Sequence, residues 1–109
     1  RVAIARAMVK EPEVVFADEP TANLDVAHGI AMLASLRRRA RLGDGVLVVL
    51  HDLDLAARFA DRVVLLADGQ LLAEGPPVEV MTRERLTKTY SAPIHVEQHS
   101  ELNRLVVIA

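Results

Sequence analysis

Two adjacent acids, Asp18 and Glu19, follow a short apolar run, Val14 to Ala17, and precede a proline and a polar turn. Like charges placed side by side repel, but two carboxylates can divide a reaction between them. One can hold a divalent cation while the other accepts a proton from an attacking water. His51 directly follows a second apolar run, Val46 to Leu50. Because the carboxyl ends of parallel strands meet at one edge of a sheet, we expect these three polar side chains to converge on one ligand.

Each of these residues could also have a purely structural role, since acids commonly cap turns and histidines commonly end strands. Other candidates are weaker. His28 lies at the exposed start of a predicted helix, which favours a surface or capping role. His95 and His99 are four residues apart, but residues 94–96 have strand character, which argues against a metal site there. The arginines of residues 37–41 are predicted to form a solvent-exposed helix end.

The apolar periodicity predicts alternating strands and helices. The opening residues RVAIARAM have helical spacing, and Pro12 should end that helix near residues 10–11. Asp25 and Asp52 are placed to cap two further helices, and Asp68-Gly69 is typical of a hairpin turn. The remaining expected elements are strands at 14–17, 46–50, 63–66, 71–74, 94–96 and 105–108, and a helix at 78–81. The pattern predicts an α/β fold with a mainly parallel sheet, flanking helices and a hairpin on the carboxyl side.

Composition limits the possible functions. The chain has 109 residues, 51% of them hydrophobic, which suffices for one small domain or part of one. A net charge of −2 gives no field that would recruit nucleic acid or an anionic membrane. Cysteine is absent, which excludes disulfides and thiolate metal sites, and no apolar run reaches the roughly 18 residues of a membrane span.

The string VVFADEP resembles the Walker B segment of ABC-type ATPases, and residues 21–25 resemble the D-loop of that family. RVAIARAM is similar to the helix that follows the family's signature motif, and residues 46–75 are similar to its switch-histidine region and the strands after it. The resemblance extends over residues 1 to about 90 in the family's order. It implies a P-loop NTPase-like fold, with ATP and Mg²⁺ as the bound nucleotide and cofactor.

The resemblance also implies a role for each site residue. Asp18 holds Mg²⁺ through a coordinated water, and Glu19 faces the attacking water as general base. His51 reaches the terminal phosphate as a donor and holds the water and Glu19 in line. The family sandwiches nucleotide between two ATPase subunits, and the D-loop residues implied to lie at that homodimer interface are Asn23, Leu24 and Asp25.

Residues 51–61, 74–77 and the tail to Ile108 look most like the ATP-binding subunits of importers for iron chelates, haem and cobalamin, and His28 agrees. This implies a transport-coupled ATPase at the cytoplasmic face of a bacterial inner membrane. Its partners would be membrane permease subunits and, indirectly, a periplasmic or lipid-anchored binding protein, with no nucleic acid. Ala17 favours instead a lipoprotein-release or other exporter-type ATPase, so that alternative stays open.

A P-loop, which requires Gly-x-x-x-x-Gly-Lys followed by Ser or Thr, is missing, since neither Lys10 nor Lys88 follows a glycine. The signature motif and the glutamine loop are missing as well. We therefore expect residues 1–90 to be the carboxyl half of an ABC ATPase domain, cut inside the signature helix, and residues 91–109 to be a tail of short strands. Such a fragment should be inactive alone.

Three other functional classes remain open. A non-transport ABC ATPase of DNA repair or translation would share the Walker B and D-loop chemistry. A chain that has lost catalysis could serve only as an interaction fragment. A magnesium-dependent hydrolase would need no P-loop and would use Asp18, Glu19, His51, Asp52 and Asp54.

The missing P-loop predicts that these 109 residues alone neither bind MgATP specifically nor hydrolyse it, because P-loop amides and lysine are the main phosphate ligands. Calorimetric titration measures this, and a micromolar, magnesium-dependent affinity for ATP would contradict it. We also expect the isolated chain to be poorly stable, because its buried strands need further neighbours. A sharp cooperative melt of a monomer would contradict this second expectation.

Overall fold

The computed structural model describes residues 2–5 and 13–109, and the side chains from residue 13 onward. In chain order the elements are β1 (Val2–Ala5), β2 (Val14–Asp18), α1 (Val26–Arg41), β3 (Gly45–Leu50), α2 (Leu53–Phe59), β4 (Arg62–Ala67), β5 (Gln70–Gly75), α3 (Pro77–Val80), α4 (Arg83–Tyr90), β6 (His95–His99) and β7 (Arg104–Ile108). The predicted α/β class is confirmed. No helix in the described ranges is long and apolar enough to cross a bilayer.

Five strands form the main sheet, in the order β2-β3-β1-β4-β5. β2 and β3 pair in parallel, with Asp18 opposite Val49. β1 is antiparallel to both β3 and β4, so β2, β3 and β4 run in the same direction. β4 and β5 form the predicted hairpin, whose turn residues Asp68 and Gly69 have φ angles of +51° and +74°.

The helix predicted for RVAIARAM is wrong at residues 2–5, which form β1. Over four residues a strand and a helix cannot be told apart by apolar spacing, and Val2 and Ile4 are β-branched residues that suit a strand. β1 lies between β3 and β4, so it also supplies hydrogen-bond partners for the backbone groups on the facing edges of both strands. Residues 6–12, where the rest of that helix was predicted, lie outside the described residues. Because of β1, the sheet has mixed pairing, and among the described strands only β2 and β3 are paired in parallel.

One face of the sheet is covered by α1 and α2. The side chains of Val46, Val48 and Leu50 are buried there, together with Leu33 of α1 and Ala56 of α2. Successive side chains of a strand point to opposite faces, so this alternation in β3 defines the covered side of the sheet.

The opposite face is open among the described residues. Val14 is 73% exposed and Phe16 is 61% exposed, whereas Val15 and Ala17, which point the other way, pack against the core. A continuous apolar run such as residues 14–17 is typical of a strand covered on both faces, but the described residues cover only one face of this strand. We call the side of β2 that carries Val14, Phe16 and Asp18 the open face.

The carboxyl-terminal strands β6 and β7 form a separate antiparallel pair, close to the predicted positions. This pair is not detached from the rest, because Ile94 and Val107 are buried in the same hydrophobic cluster as the main sheet. The β6–β7 hairpin therefore packs against the rest of the protein through contacts between β7 and α2.

Candidate functional site

The parallel register of β2 and β3 brings the first residues beyond the two strands together. The backbone amide of Glu19 donates to the carbonyl of Val49 at 2.7 Å, which extends the pairing by one residue. The Nε2 atom of His51 lies 2.5 Å from Oε1 of Glu19. The Glu19 side chain is 26% exposed and that of His51 65% exposed, so the pair lies at the surface with the carboxylate partly sheltered.

Glu19 leaves the strand in an unusual backbone conformation. Its φ of +52° is in the left-handed region, which is uncommon for residues other than glycine and is enriched at functional sites. Its carbonyl accepts a hydrogen bond from the Ala22 amide at 3.0 Å, so the chain turns back at once. As a result the two neighbouring acids separate: Asp18 is exposed on the open face, while Glu19 contacts His51.

The role of Asp18 as a metal ligand stays a prediction. Within residues 2–5 and 13–109 no group of three or more His, Cys, Asp or Glu side chains could hold a metal ion. Mg²⁺ is commonly bound through only one or two carboxylates, with substrate phosphates and water filling its other positions. One carboxylate such as that of Asp18 could contribute to a site of this kind only together with ligands from outside the described residues.

The other acids proposed for a hydrolase do not join Asp18. Asp52 caps α2, because its Oδ1 accepts from the Leu55 amide at 3.0 Å. Asp54 is hydrogen-bonded to Arg104 at 3.0 and 3.2 Å. Both carboxylates are therefore engaged in holding structure, which argues against the hydrolase alternative.

The turn after Glu19 is compact and exposed. Leu24 donates its amide to the Thr21 carbonyl at 3.2 Å, and Asn23 has a φ of +67°, which asparagine tolerates better than most residues. Asn23, Leu24 and Asp25 are all exposed, as residues of a subunit interface would be in a single copy. A cavity of about 350 Å³ separates this turn from α2.

Asp25 also has a structural role in the chain itself. Its Oδ1 accepts from the backbone amide and from the ring Nδ1 of His28, both at 2.8 Å, and it caps α1 as predicted. The hydrogen bond from the His28 amide, followed by that from the ring, holds the pKa of Asp25 below its usual value. His28 thus has the capping and surface position that the sequence indicated.

The ion pair between Asp54 and Arg104 was not predicted from the sequence. The guanidinium of Arg104 in β7 donates hydrogen bonds to both carboxylate oxygens of Asp54, and the Val107 amide donates to Asp54 Oδ1 at 3.0 Å. Partial burial raises the pKa of Asp54, but the hydrogen bonds from Arg104 and Val107 and the nearby guanidinium charges outweigh it, so the pKa lies below its usual value. Fifty residues separate the two partners, and no local pattern in the sequence signals such a pair.

Comparison with known proteins gives one consistent group of relatives. No family model matches the chain. Hemin import ATP-binding protein HmuV of Streptomyces coelicolor is 46% identical over 108 residues, and that of Rhodococcus jostii is 44% identical over 108 residues. Each match includes 99% of this chain, but only 39% and 37% of the relative. The chain therefore spans less than half the length of these curated relatives.

Solved structures give the same fold. A metal-chelate-type ABC transporter in an inward-facing conformation matches 87% of this chain and 38% of its own, with a TM-score of 0.72 and 22% identity. The cbiO1 protein of Clostridium perfringens, part of the ABC transporter complex cbiONQ, matches 72% of this chain and 32% of its own, with a TM-score of 0.58 and 28% identity. The fold is thus that of ABC-type ATPase domains.

The capping role of Asp25 can be separated from its charge. We expect Asp25→Ala to lower the melting temperature and Asp25→Asn to preserve most of it, because the amide oxygen can still accept from His28. The pKa of Asp25 is lower in the folded protein than in the unfolded chain, where it is about 4. The charge of Asp25 should therefore stabilise the fold fully above about pH 4, and this contribution should be lost as the pH falls through the pKa of the folded state.

Thermal denaturation of a protein that also contains the P-loop segment, followed by circular dichroism across pH 2 to 7, tests this. Glu84→Ala removes an exposed acid from the first turn of α4 and is the matched control. Equal melting temperatures for Asp25→Ala and the unaltered chain at neutral pH would contradict the capping role.

Proposed function

We propose that this chain, whose fold and sequence resemble those of ABC transporter ATPases, forms part of the ATP-hydrolysing subunit of a haem or iron-chelate importer. The observation that carries the proposal is the contact between Glu19 and His51 at the adjoining ends of two parallel strands. Asp18, the neighbour of Glu19, points away from that contact to the open face. In this proposal Asp18 serves a metal and Glu19 a proton.

In this proposal Glu19 is the general base that accepts a proton from the attacking water. The water must be held in line with the terminal phosphate, and a carboxylate that rotates freely would hold it poorly. His51 Nε2 contacts Oε1 of Glu19 and so restricts the carboxylate. The family resemblance adds a second role, in which His51 donates to the terminal phosphate. Mg²⁺, which Asp18 would hold, supplies neutralisation of the phosphate charge.

The phosphate-binding P-loop must come from a polypeptide segment outside these 109 residues. We use "the complete subunit" for these residues together with such a segment. The open face supports this, because Val14 and Phe16 would leave water if that segment packed on β2. Residues 1–90 would then be the carboxyl half of the ATPase domain and residues 91–109 its tail, and the 109 residues alone would be inactive.

Assembly into a transporter follows from the same proposal. The exposed turn of Asn23, Leu24 and Asp25 would contact a second ATPase subunit. The pair would lie beneath membrane permease subunits at the cytoplasmic face of a bacterial inner membrane, supplied by a periplasmic or lipid-anchored binding protein. Support comes from the structural likeness to ABC transporter subunits.

The substrate is proposed from the relatives. The HmuV proteins of three bacteria, named for hemin import, match between 86% and 99% of the chain at 44% to 49% identity. Haem is therefore the first candidate, followed by other iron chelates and cobalamin. Ala17 still favours an exporter-type ATPase as the alternative, but that single residue weighs less than a match that extends through the tail.

The catalytic proposal predicts a separation of binding from chemistry. In the complete subunit, Glu19→Gln should leave ATP affinity nearly unchanged and slow hydrolysis by roughly 10²- to 10⁴-fold, because an amide cannot accept the proton. His51→Ala should slow it similarly by releasing the Glu19 carboxylate. Steady-state ATPase assays and nucleotide titration measure both quantities. His95→Ala, which alters an exposed histidine of β6, is the control, and parental rates for either site variant would refute that residue's role.

The transport proposal is tested in cells. Deleting the parent gene should impair growth when haem, a ferric siderophore or cobalamin is the limiting source, and the affected source identifies the substrate. Complementation with the unaltered gene should restore growth, and complementation with the Glu19→Gln variant should not. Unimpaired growth on all three sources, in a strain without a redundant importer, would reject the substrate assignment and leave the ATPase proposal standing.

A further inference from the structure

The position of His51 depends on how α2 is seated. His51 directly follows β3, and the next residue, Asp52, is the N-cap of α2. Asp54 lies in the first turn of the helix, three residues beyond His51. Any shift of the start of α2 would therefore move His51 relative to Glu19, since only the capping residue separates the histidine from the helix.

The start of α2 is held from outside the main sheet. Arg104 Nη1 and Nη2 donate to the two carboxylate oxygens of Asp54 at 3.0 and 3.2 Å, and the amide of Val107 donates to Oδ1 at 3.0 Å. A forked guanidinium on both oxygens fixes orientation as well as distance. Arg104 is 20% exposed and Asp54 35% exposed, which makes this pair more sheltered than the Arg62–Glu74 pair, at 48% and 44%.

The hairpin that supplies Arg104 is itself anchored. Val107 is buried in the common hydrophobic cluster, and Arg104 Nη1 also donates to the Leu105 carbonyl at 3.0 Å, which restrains the guanidinium. A cavity of about 690 Å³ is lined by His51, by Tyr90 at the end of α4 and by Ile94 of the tail. The carboxyl-terminal segment is therefore the neighbour of the histidine as well as of its helix.

We propose that Arg104 and Asp54 form a positioning pair, which seats α2 against β7 and thereby keeps His51 in contact with Glu19. Neither residue touches the reacting atoms in this proposal. It rests on the proposed function, because it assigns the pair to the reaction in which Glu19 and His51 act. It gives the carboxyl-terminal tail a part in hydrolysis rather than in folding alone.

The test uses the complete subunit with Arg104→Gln, which removes the charge and the fork. We expect kcat for ATP to fall by about 10- to 100-fold with KM nearly unchanged, because misplacement of a positioned group slows chemistry more than binding. Arg62→Gln breaks the comparable Arg62–Glu74 pair, which lies on the β4–β5 hairpin, and should keep the parental kcat. Loss of kcat in both variants would indicate general damage and overturn the proposal.

A double-mutant cycle shows whether the pair acts through the histidine. In a His51→Ala background, Arg104→Gln should cause almost no further loss of kcat, whereas independent effects would multiply. Asp54→Asn keeps an oxygen that can accept from Val107 and should give a smaller loss with the same non-additivity. This milder variant also serves if Arg104→Gln fails to fold.

The outcomes separate this inference from the proposed function. If His51→Ala slows hydrolysis while Arg104→Gln and Asp54→Asn keep the parental kcat, the positioning pair is rejected and the ATPase proposal stands. The positioning pair is also rejected if the losses of kcat caused by Arg104→Gln and His51→Ala multiply in the double variant. If His51→Ala itself leaves the rate unchanged, the proposed function fails first.

Discussion

The parallel register between β2 and β3 is the constraint on which the site depends. Because Asp18 lies opposite Val49, Glu19 and His51 leave their strands side by side. A slip of one residue would displace one of them by about 3.3 Å and turn every later side chain of that strand to the other face of the sheet. The covered face resists such a slip, since it would expose Val46, Val48 and Leu50. Hydrophobic packing on one side of the sheet thus sets the geometry of polar groups at its edge.

The adjacent acids at 18 and 19 are useful because the backbone separates them. A strand by itself would alternate their side chains, and the left-handed residue at 19 adds a turn that carries the second carboxylate towards the next strand. The first carboxylate remains on the open face beside apolar side chains. The two acids therefore have different surroundings, one exposed on the open face and the other in contact with His51.

Local signals were enough to predict most elements and the proximity of Glu19 to His51, but not that Asp18 lies apart from this pair. Asp25 and Asp52 were recognised as helix caps because capping depends on a few adjacent residues, and His51 was placed correctly because a continuous apolar run ends just before it. The Asp54–Arg104 pair was not predictable, since nothing near either residue identifies a partner fifty positions away. β1 was misassigned because four apolar residues fit two periodicities, and only its neighbours in the sheet decide between them.

The φ of +52° at Glu19 has a consequence for how this chain can change over generations. Glycine adopts that conformation without steric cost, and replacing a strained residue by glycine there relieves the backbone. A population under pressure for thermal robustness alone would therefore accumulate glycine at this position and lose the carboxylate in the process. A substitution that stabilises the backbone at position 19 would therefore remove the proposed general base, so stability and activity are opposed at this residue.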